Sequence, residues 1–173
     1  MYARPFIDSL DFAVNGKQID TQVPFAELAR MHDVLDSPLG ELHYTLQGGL
    51  DSQGRAVLDI SMTGNCQLRC QRCLSGLDYR IEHQTRLLLC DQATIDALDS
   101  GRQLDEHPDE DEEVEAILAD THLDVLALLE DEILLNLPIS PMHDSGACQV
   151  AEGEDTQKGK LNPFAVLENL KRN

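Results

Sequence analysis

Between residues 41 and 90 apolar and polar positions alternate in three successive runs. In ELHYTLQGG (41–49) the apolar positions are Leu42, Tyr44 and Leu46, and in RAVLDISMTGNC (55–66) they are Ala56, Leu58, Ile60 and Met62. In GLDYRIEHQTRLLLC (76–90) Leu77, Tyr79, Ile81, Leu87 and Leu89 oppose Asp78, Arg80, Glu82, Gln84 and Arg86. A period of two is that of a half-buried strand. The DSQG stretch between the first two runs, with Gly54 free to take positive φ, predicts a hairpin. The third run is long enough to bend or bulge midway. Together they predict an antiparallel meander with one solvated face.

Helical spacing flanks the meander. TQVPFAELARMHDVL (21–35) predicts a short amphipathic helix, with Thr21 as cap, Pro24 in the first turn and Phe25, Leu28 and Leu35 on one face. Leu123, Val125 and Ala127 alternate like a strand. LALLEDEILLNLP (126–138) then reads as a helix packing Leu128, Leu129, Ile133, Leu134 and Leu137 inward and stopping at Pro138. LNPFAVLENLKRN (161–173) predicts a last short helix, capped by Asn162, begun by Pro163 and striped by Phe164, Val166, Leu167 and Leu170. The expected fold is α+β: one domain over residues 1–142 built on the meander with a few short helices. A flexible linker and the C-terminal helix occupy 143–173.

Charge changes this picture in one place. Of residues 105–115 eight are acidic, so a mobile acidic loop is expected at about 99–115. The whole chain of 173 residues carries 32 acidic and 13 basic side chains, a formal net charge of −19. Such a balance repels nucleic acid at long range and attracts basic partners. Aromatic residues are scarce and tryptophan is absent, so the core must be aliphatic. No apolar run reaches the ~18 residues of a membrane span. Asp8 and Asp11 interrupt the N-terminus before any long apolar run, unlike a signal peptide. Five cysteines, an odd number, then point to reduced thiols and a cytoplasmic protein.

Three of those cysteines, Cys66, Cys70 and Cys73, crowd into TGNCQLRCQRCLSGL (63–77). The two-residue gap of Cys70-Gln-Arg-Cys73 lets both thiolates reach one tetrahedral zinc, and His143 with Cys148 supplies a second half of suitable spacing. Three readings stay open: a structural zinc, a redox pair, or reduced cysteines around a tight turn. The redox reading lacks the helix that should follow the pair and lower its thiol pKa. Arg55, Arg69, Arg72, Arg80 and Arg86 face only Asp59, Asp78 and Glu82 locally, so this strip is cationic within an acidic chain. Arginine suits bidentate phosphate contacts; the alternative is that these arginines neutralise nearby carboxylates. No triad order, phosphate loop, HExxH or dinucleotide fingerprint recommends an enzyme.

CQRCL (70–74), EDEILLNLPISPMHDSGAC (130–148) and NPFAVLENLK (162–171), in this order, resemble the proteobacterial branch of the YceD family, the large ribosomal RNA subunit accumulation proteins. The resemblance implies a non-enzymatic ribosome biogenesis factor supporting synthesis, processing or accumulation of large-subunit (23S) ribosomal RNA. Cys70, Arg72, Cys73 and Leu74 match the family's motif, and Asn162, Pro163, Phe164 and Leu167 match its tail; joined to the cationic strip, this makes Arg69, Arg72, Arg80 and Arg86 with the four tail residues the expected contacts to ribosomal RNA, a pre-ribosomal particle or another partner. The alternative is an acidic, chaperone-like binder of a basic large-subunit ribosomal protein without RNA contact. No cofactor is called for with certainty: a structural zinc on Cys70, Cys73, His143 and Cys148 is the one candidate, beside the reading of reduced cysteines around a tight turn, and no membrane partner is expected.

Overall fold

The computed structural model describes residues 4–99, 115–144 and 146–148. The three alternating runs form the centre of the fold as β4 (Glu41–Leu50), β5 (Ala56–Arg69) and β6 (Gly76–Cys90). β4 pairs with β5, and β5 with β6, in antiparallel ladders. Their inward positions are those that the period of two selects: Leu42, Tyr44, Leu46, Leu58, Ile60, Met62, Ile81 and Leu87 are buried. The β5–β6 register runs unbroken from Val57↔Leu88 to Arg69↔Gly76. The bulge expected within the third run is therefore absent; its polar centre keeps the alternation, with His83 and Thr85 on the inward face.

Earlier in the chain come β1 (Phe6–Ile7), α1 (Ser9–Val14), β2 (Gln18–Pro24) and β3 (Leu35–Ser37). β2 adds to the outer edge of β4, and β3 pairs with the far end of β5. After β6 come α2 (Gln92–Asp99), β7 (Glu115–Leu118), β8 (Leu123–Asp124) and α3 (Val125–Asn136). β7 joins β6 in parallel, which gives the main sheet the order β2-β4-β5-β6-β7, and β1 pairs with β8 in a separate two-stranded ribbon. Among the described residues this is one α+β domain: a mixed, mostly antiparallel sheet whose inward side chains share a core with α1, residues 25–31 and α3.

The helix expected over 21–35 does not form. Its first part is β2, whose residues 18–24 pair one for one with β4. Pro24, lacking an N–H, sits at the strand's last position, where no ladder bond is lost. Beyond it the inward residues Phe25, Leu28 and Met31 recur every three positions, the period of a 3-10 helix. The bonds Leu28 N–H to Phe25 O and Met31 N–H to Leu28 O, both 3.1 Å, complete that geometry. The strand expected through Ala127 likewise stops at Asp124. Its carboxylate caps α3 by accepting from the N–H groups of Leu126 (3.0 Å) and Ala127 (3.2 Å), so the helix begins at Val125.

α3 places Val125, Leu126, Leu128, Leu129 and Ile133 in the common core. Its buried Glu130 accepts the backbone N–H of Arg30 at 3.0 Å, which ties α3 to the 3-10 segment. α1 lies directly on β4: a Cβ added at Gly48 would stand 2.4 Å from the Phe12 carbonyl oxygen. The N-terminus is closed by Ser9, whose N–H and hydroxyl both engage the backbone of Asp120 at 2.9 Å.

Candidate metal centre and its surroundings

The ends of β5 and β6 are joined by a tight turn that carries Cys70 and Cys73. Two backbone bonds close it: Leu74 N–H to Cys70 O (2.9 Å) and Cys70 N–H to Ser75 O (3.0 Å). Leu74 takes φ 61°, a left-handed conformation that costs a side-chain-bearing residue energy, and its side chain is exposed. The turn aims N–H groups at sulfur. The backbone N–H of Cys73, assisted by those of His143 and Arg72, draws the Cys70 thiol down to about 5 against the opposing effect of burial. The Ser75 hydroxyl, 2.9 Å from the Cys73 sulfur, lowers Cys73 as well. Strand follows the turn where a thioredoxin-type pair would need a helix, so turn amides do the work of a helix N-terminus.

The segment after α3 returns to this turn. Gln71 N–H donates to Pro141 O at 2.9 Å, and Arg72 Nη2 lies 3.8 Å from Met142 Sδ. His143 and Cys148 thereby join Cys70 and Cys73, with all four ligand atoms within 4.8 Å of one another. Cys70 Sγ is 3.9 Å from Cys148 Sγ; His143 Nδ1 is 3.5 Å from Cys73 Sγ and 3.8 Å from Cys148 Sγ. A tetrahedral ion bound by three thiolates and one imidazole has edges of about 3.8 Å between sulfurs and about 3.6 Å from sulfur to nitrogen. The group therefore fits a metal. Cys148 is raised chiefly by burial, and His143 is raised chiefly by its hydrogen bond with Cys70, as expected where a thiolate faces an imidazole.

The other two cysteines are core residues. Cys66 and Cys90 are buried, and burial raises both thiols, Cys66 to about 11. All five cysteines are free.

The arginine strip divides into two groups. Arg55 pairs with Asp51 (2.6 Å), Arg80 with Glu82 (3.0 Å) and Arg86 with its cross-strand partner Asp59 (2.7 Å). Arg69 and Arg72, one at the end of β5 and one inside the Cys70–Cys73 turn, have no carboxylate at ion-pair distance among the described residues; Arg69 reaches only the Leu35 carbonyl at 3.4 Å. Both are exposed. The sheet's outer face is otherwise a mixture, with Asp20, Asp59, Asp78 and Glu82 beside Arg80 and Arg86. Asn162, Pro163, Phe164 and Leu167, like most of the acidic run, lie outside the described residues.

Sequence reasoning missed one polar constellation. His83, on the inward face of β6, meets buried Glu132 of α3 at 3.2 Å and Asn136 at 3.1 Å. A histidine at an inward position of an alternating strand, matched by a glutamate within an otherwise apolar helix, is the signal that pairs them.

With this geometry in hand, comparison with known proteins is specific. The sequence model of the family described as large ribosomal RNA subunit accumulation protein YceD matches residues 58–171. The large ribosomal RNA subunit accumulation protein YceD of Haemophilus influenzae is 30% identical over 153 residues, 84% of this chain and 83% of that protein. No solved structure matches the chain. The chain belongs to the YceD family, whose description states an accumulation role and no reaction. Among the described residues no helix is long and apolar enough to cross a membrane.

Proposed function

We propose that this protein is a non-enzymatic, cytoplasmic ribosome biogenesis factor that supports accumulation of large-subunit ribosomal RNA. Its working surface is the turn between β5 and β6, with Arg69 and Arg72 contacting RNA phosphates of a pre-ribosomal particle. The observation that carries the reading is the contrast within the strip: Arg55, Arg80 and Arg86 pair with carboxylates, while among the described residues the two exposed arginines at the turn meet only the Leu35 carbonyl and the Met142 sulfur and no carboxylate. Guanidinium forks suit phosphate oxygens, and two contacts inside a strongly acidic chain give short-range recognition without indiscriminate RNA binding.

Cys70, Cys73, His143 and Cys148 would hold a structural zinc at the turn, their three sulfurs and one imidazole nitrogen making up a four-ligand protein set. A closed tetrahedral set of this kind leaves no place for substrate, so its contribution is to folding. When bound, it would clip the segment after α3 to the β5–β6 turn, where Gln71 N–H already meets Pro141 O and Arg72 already meets Met142. The tail residues Asn162, Pro163, Phe164 and Leu167 belong to the same proposal as a second contact with the particle.

The test is a strain that lacks the gene, complemented with the parent protein or with the R69E/R72E variant. The account expects the parent to restore large-subunit peaks and mature 23S ends in gradient and primer-extension profiles. The folded double variant should fail. Normal large-subunit levels without the protein would remove the proposal.

A further inference from the structure

Among the described residues β6 has a strand on both sides only where β7 joins it, at residues 87–90. Along residues 76–86 no described strand pairs with the side facing away from β5. The Gly76 carbonyl is taken by His143 Nε2–H at 3.0 Å, so the open edge begins at Leu77. Every second residue of such an edge directs its N–H and C=O outward, and an extended peptide can complete the ladder.

A second feature lies beside the edge. A groove of about 130 Å³ separates β6 from the last turn of α3, with Tyr79, Ile81 and His83 on one wall and Ile133, Asn136 and Leu137 on the other. Strand side chains alternate, so a peptide seated on the edge would turn one set into this groove and the other toward the outer face. The groove walls supply the apolar surface that backbone bonds alone lack.

Charge selects the occupant. Arg80 and Arg86 are neutralised by Glu82 and Asp59. What remains along the edge is Asp78, whose only described partner is the Gln67 amide (3.1 Å), and Glu132, whose buried carboxylate stands 3.2 Å behind His83. The net charge of −19 acts in the same direction and disfavours a second copy of the chain.

We propose that residues 77–86 of β6 receive an extended basic polypeptide segment by strand addition, its apolar side chains entering the groove against α3. This surface is separate from Arg69 and Arg72 and does not depend on the RNA reading.

The test uses the full-length protein and two synthetic twelve-residue peptides, one alternating lysine with valine and one alternating glutamate with valine. Hydrogen exchange read by mass spectrometry should show amides within 77–86 slowing at least about tenfold with the lysine peptide and not with the glutamate peptide. N136W, which fills the groove at the cost of the Asn136 bonds to His83 and Glu132, and D78K, which reverses an exposed charge and should leave the thermal midpoint unchanged, should each weaken lysine-peptide binding at least about threefold at a temperature where both variants are folded. R69A/R72A should bind the peptide as the parent does. Protection elsewhere, equal protection by both peptides, or no effect of N136W and D78K overturns the proposal. So does protection that rises with protein concentration alone, the mark of a second copy, or protection given by RNA and not by the lysine peptide.

Discussion

His143 Nε2 lies 3.0 Å from the carbonyl oxygen of Gly76. A carbonyl only accepts, so Nε2 carries a proton, and in the neutral ring Nδ1 is then the lone pair that faces the sulfurs of Cys73 and Cys148. The second hydrogen bond of the ring fixes its tautomer and orientation, as second-shell partners do at metal centres. Gly76 is the first residue of β6. The sheet itself therefore orients the histidine, and the segment after α3 is placed by the strand it returns to.

Zinc should be present at one ion per chain in protein purified without chelator. Binding to the folded state alone adds about 4 kcal/mol at a thousandfold excess over Kd, which for a chain of this size corresponds to a rise of about 10 °C in the unfolding midpoint. Calorimetry before and after chelator treatment measures it. C148S should keep the other three ligands and lose at least about tenfold in affinity by competition with a chromophoric chelator.

The buried pair on the inward face makes a prediction about pH. Burial raises the Glu132 carboxyl above its ordinary value, with the His83 contact opposing. A raised carboxyl binds its proton more tightly in the folded state, so this group's contribution falls as pH rises from the unfolded value through the folded one. At pH 7 the ionised form is a net cost. E132Q should therefore unfold at higher denaturant than the parent at pH 7, with the difference shrinking toward pH 4. A pair of chemical denaturation series at the two pH values checks the sign.

Leu74 holds its positive φ at a cost that glycine would not bear. L74G should stabilise the protein by about 1 kcal/mol through relief of that strain, less what the glycine's greater freedom when unfolded takes back. Metal stoichiometry should stay at one. Equilibrium unfolding in urea, with metal content determined on the same samples, reads both.

The contact of α1 with β4 has no room for a methyl group. G48A forces a Cβ against the Phe12 carbonyl and the Ala13 backbone, and backbone cannot give way as a flexible side chain can. The expected cost is about 3 kcal/mol, at the upper end for overpacking, and urea unfolding of the variant checks it.

The centre of the fold was legible because burial on a one-sided sheet writes a period of two directly into β4, β5 and β6. Their order followed from short connections such as the Asp51–Arg55 turn, where Gly54 N–H donates to Asp51 O at 3.0 Å. β2 was hidden because Thr21, Val23, Phe25 and Leu28 cross from strand spacing to threefold spacing within a few residues, and the mixture imitates a helix. β7 was hidden because four residues carry too little pattern, and its parallel partner lies beyond the acidic run. At the metal centre the residue types and gaps were visible. What sequence could not supply was the return of the chain after α3, which turns a segment of linker-like composition into the other half of the site. Nor could it divide the arginines. Asp59 and Arg86 are 27 positions apart and meet only through the β5–β6 register.

Ultraviolet crosslinking in growing cells, with sequencing of the attached RNA, tests the central claim most directly. The account predicts large-subunit ribosomal RNA joined to peptides that contain residues 69–74, and a loss of at least about tenfold in R69E/R72E at equal protein level. Crosslinks that avoid this turn, or that persist unchanged in the double variant, would contradict it.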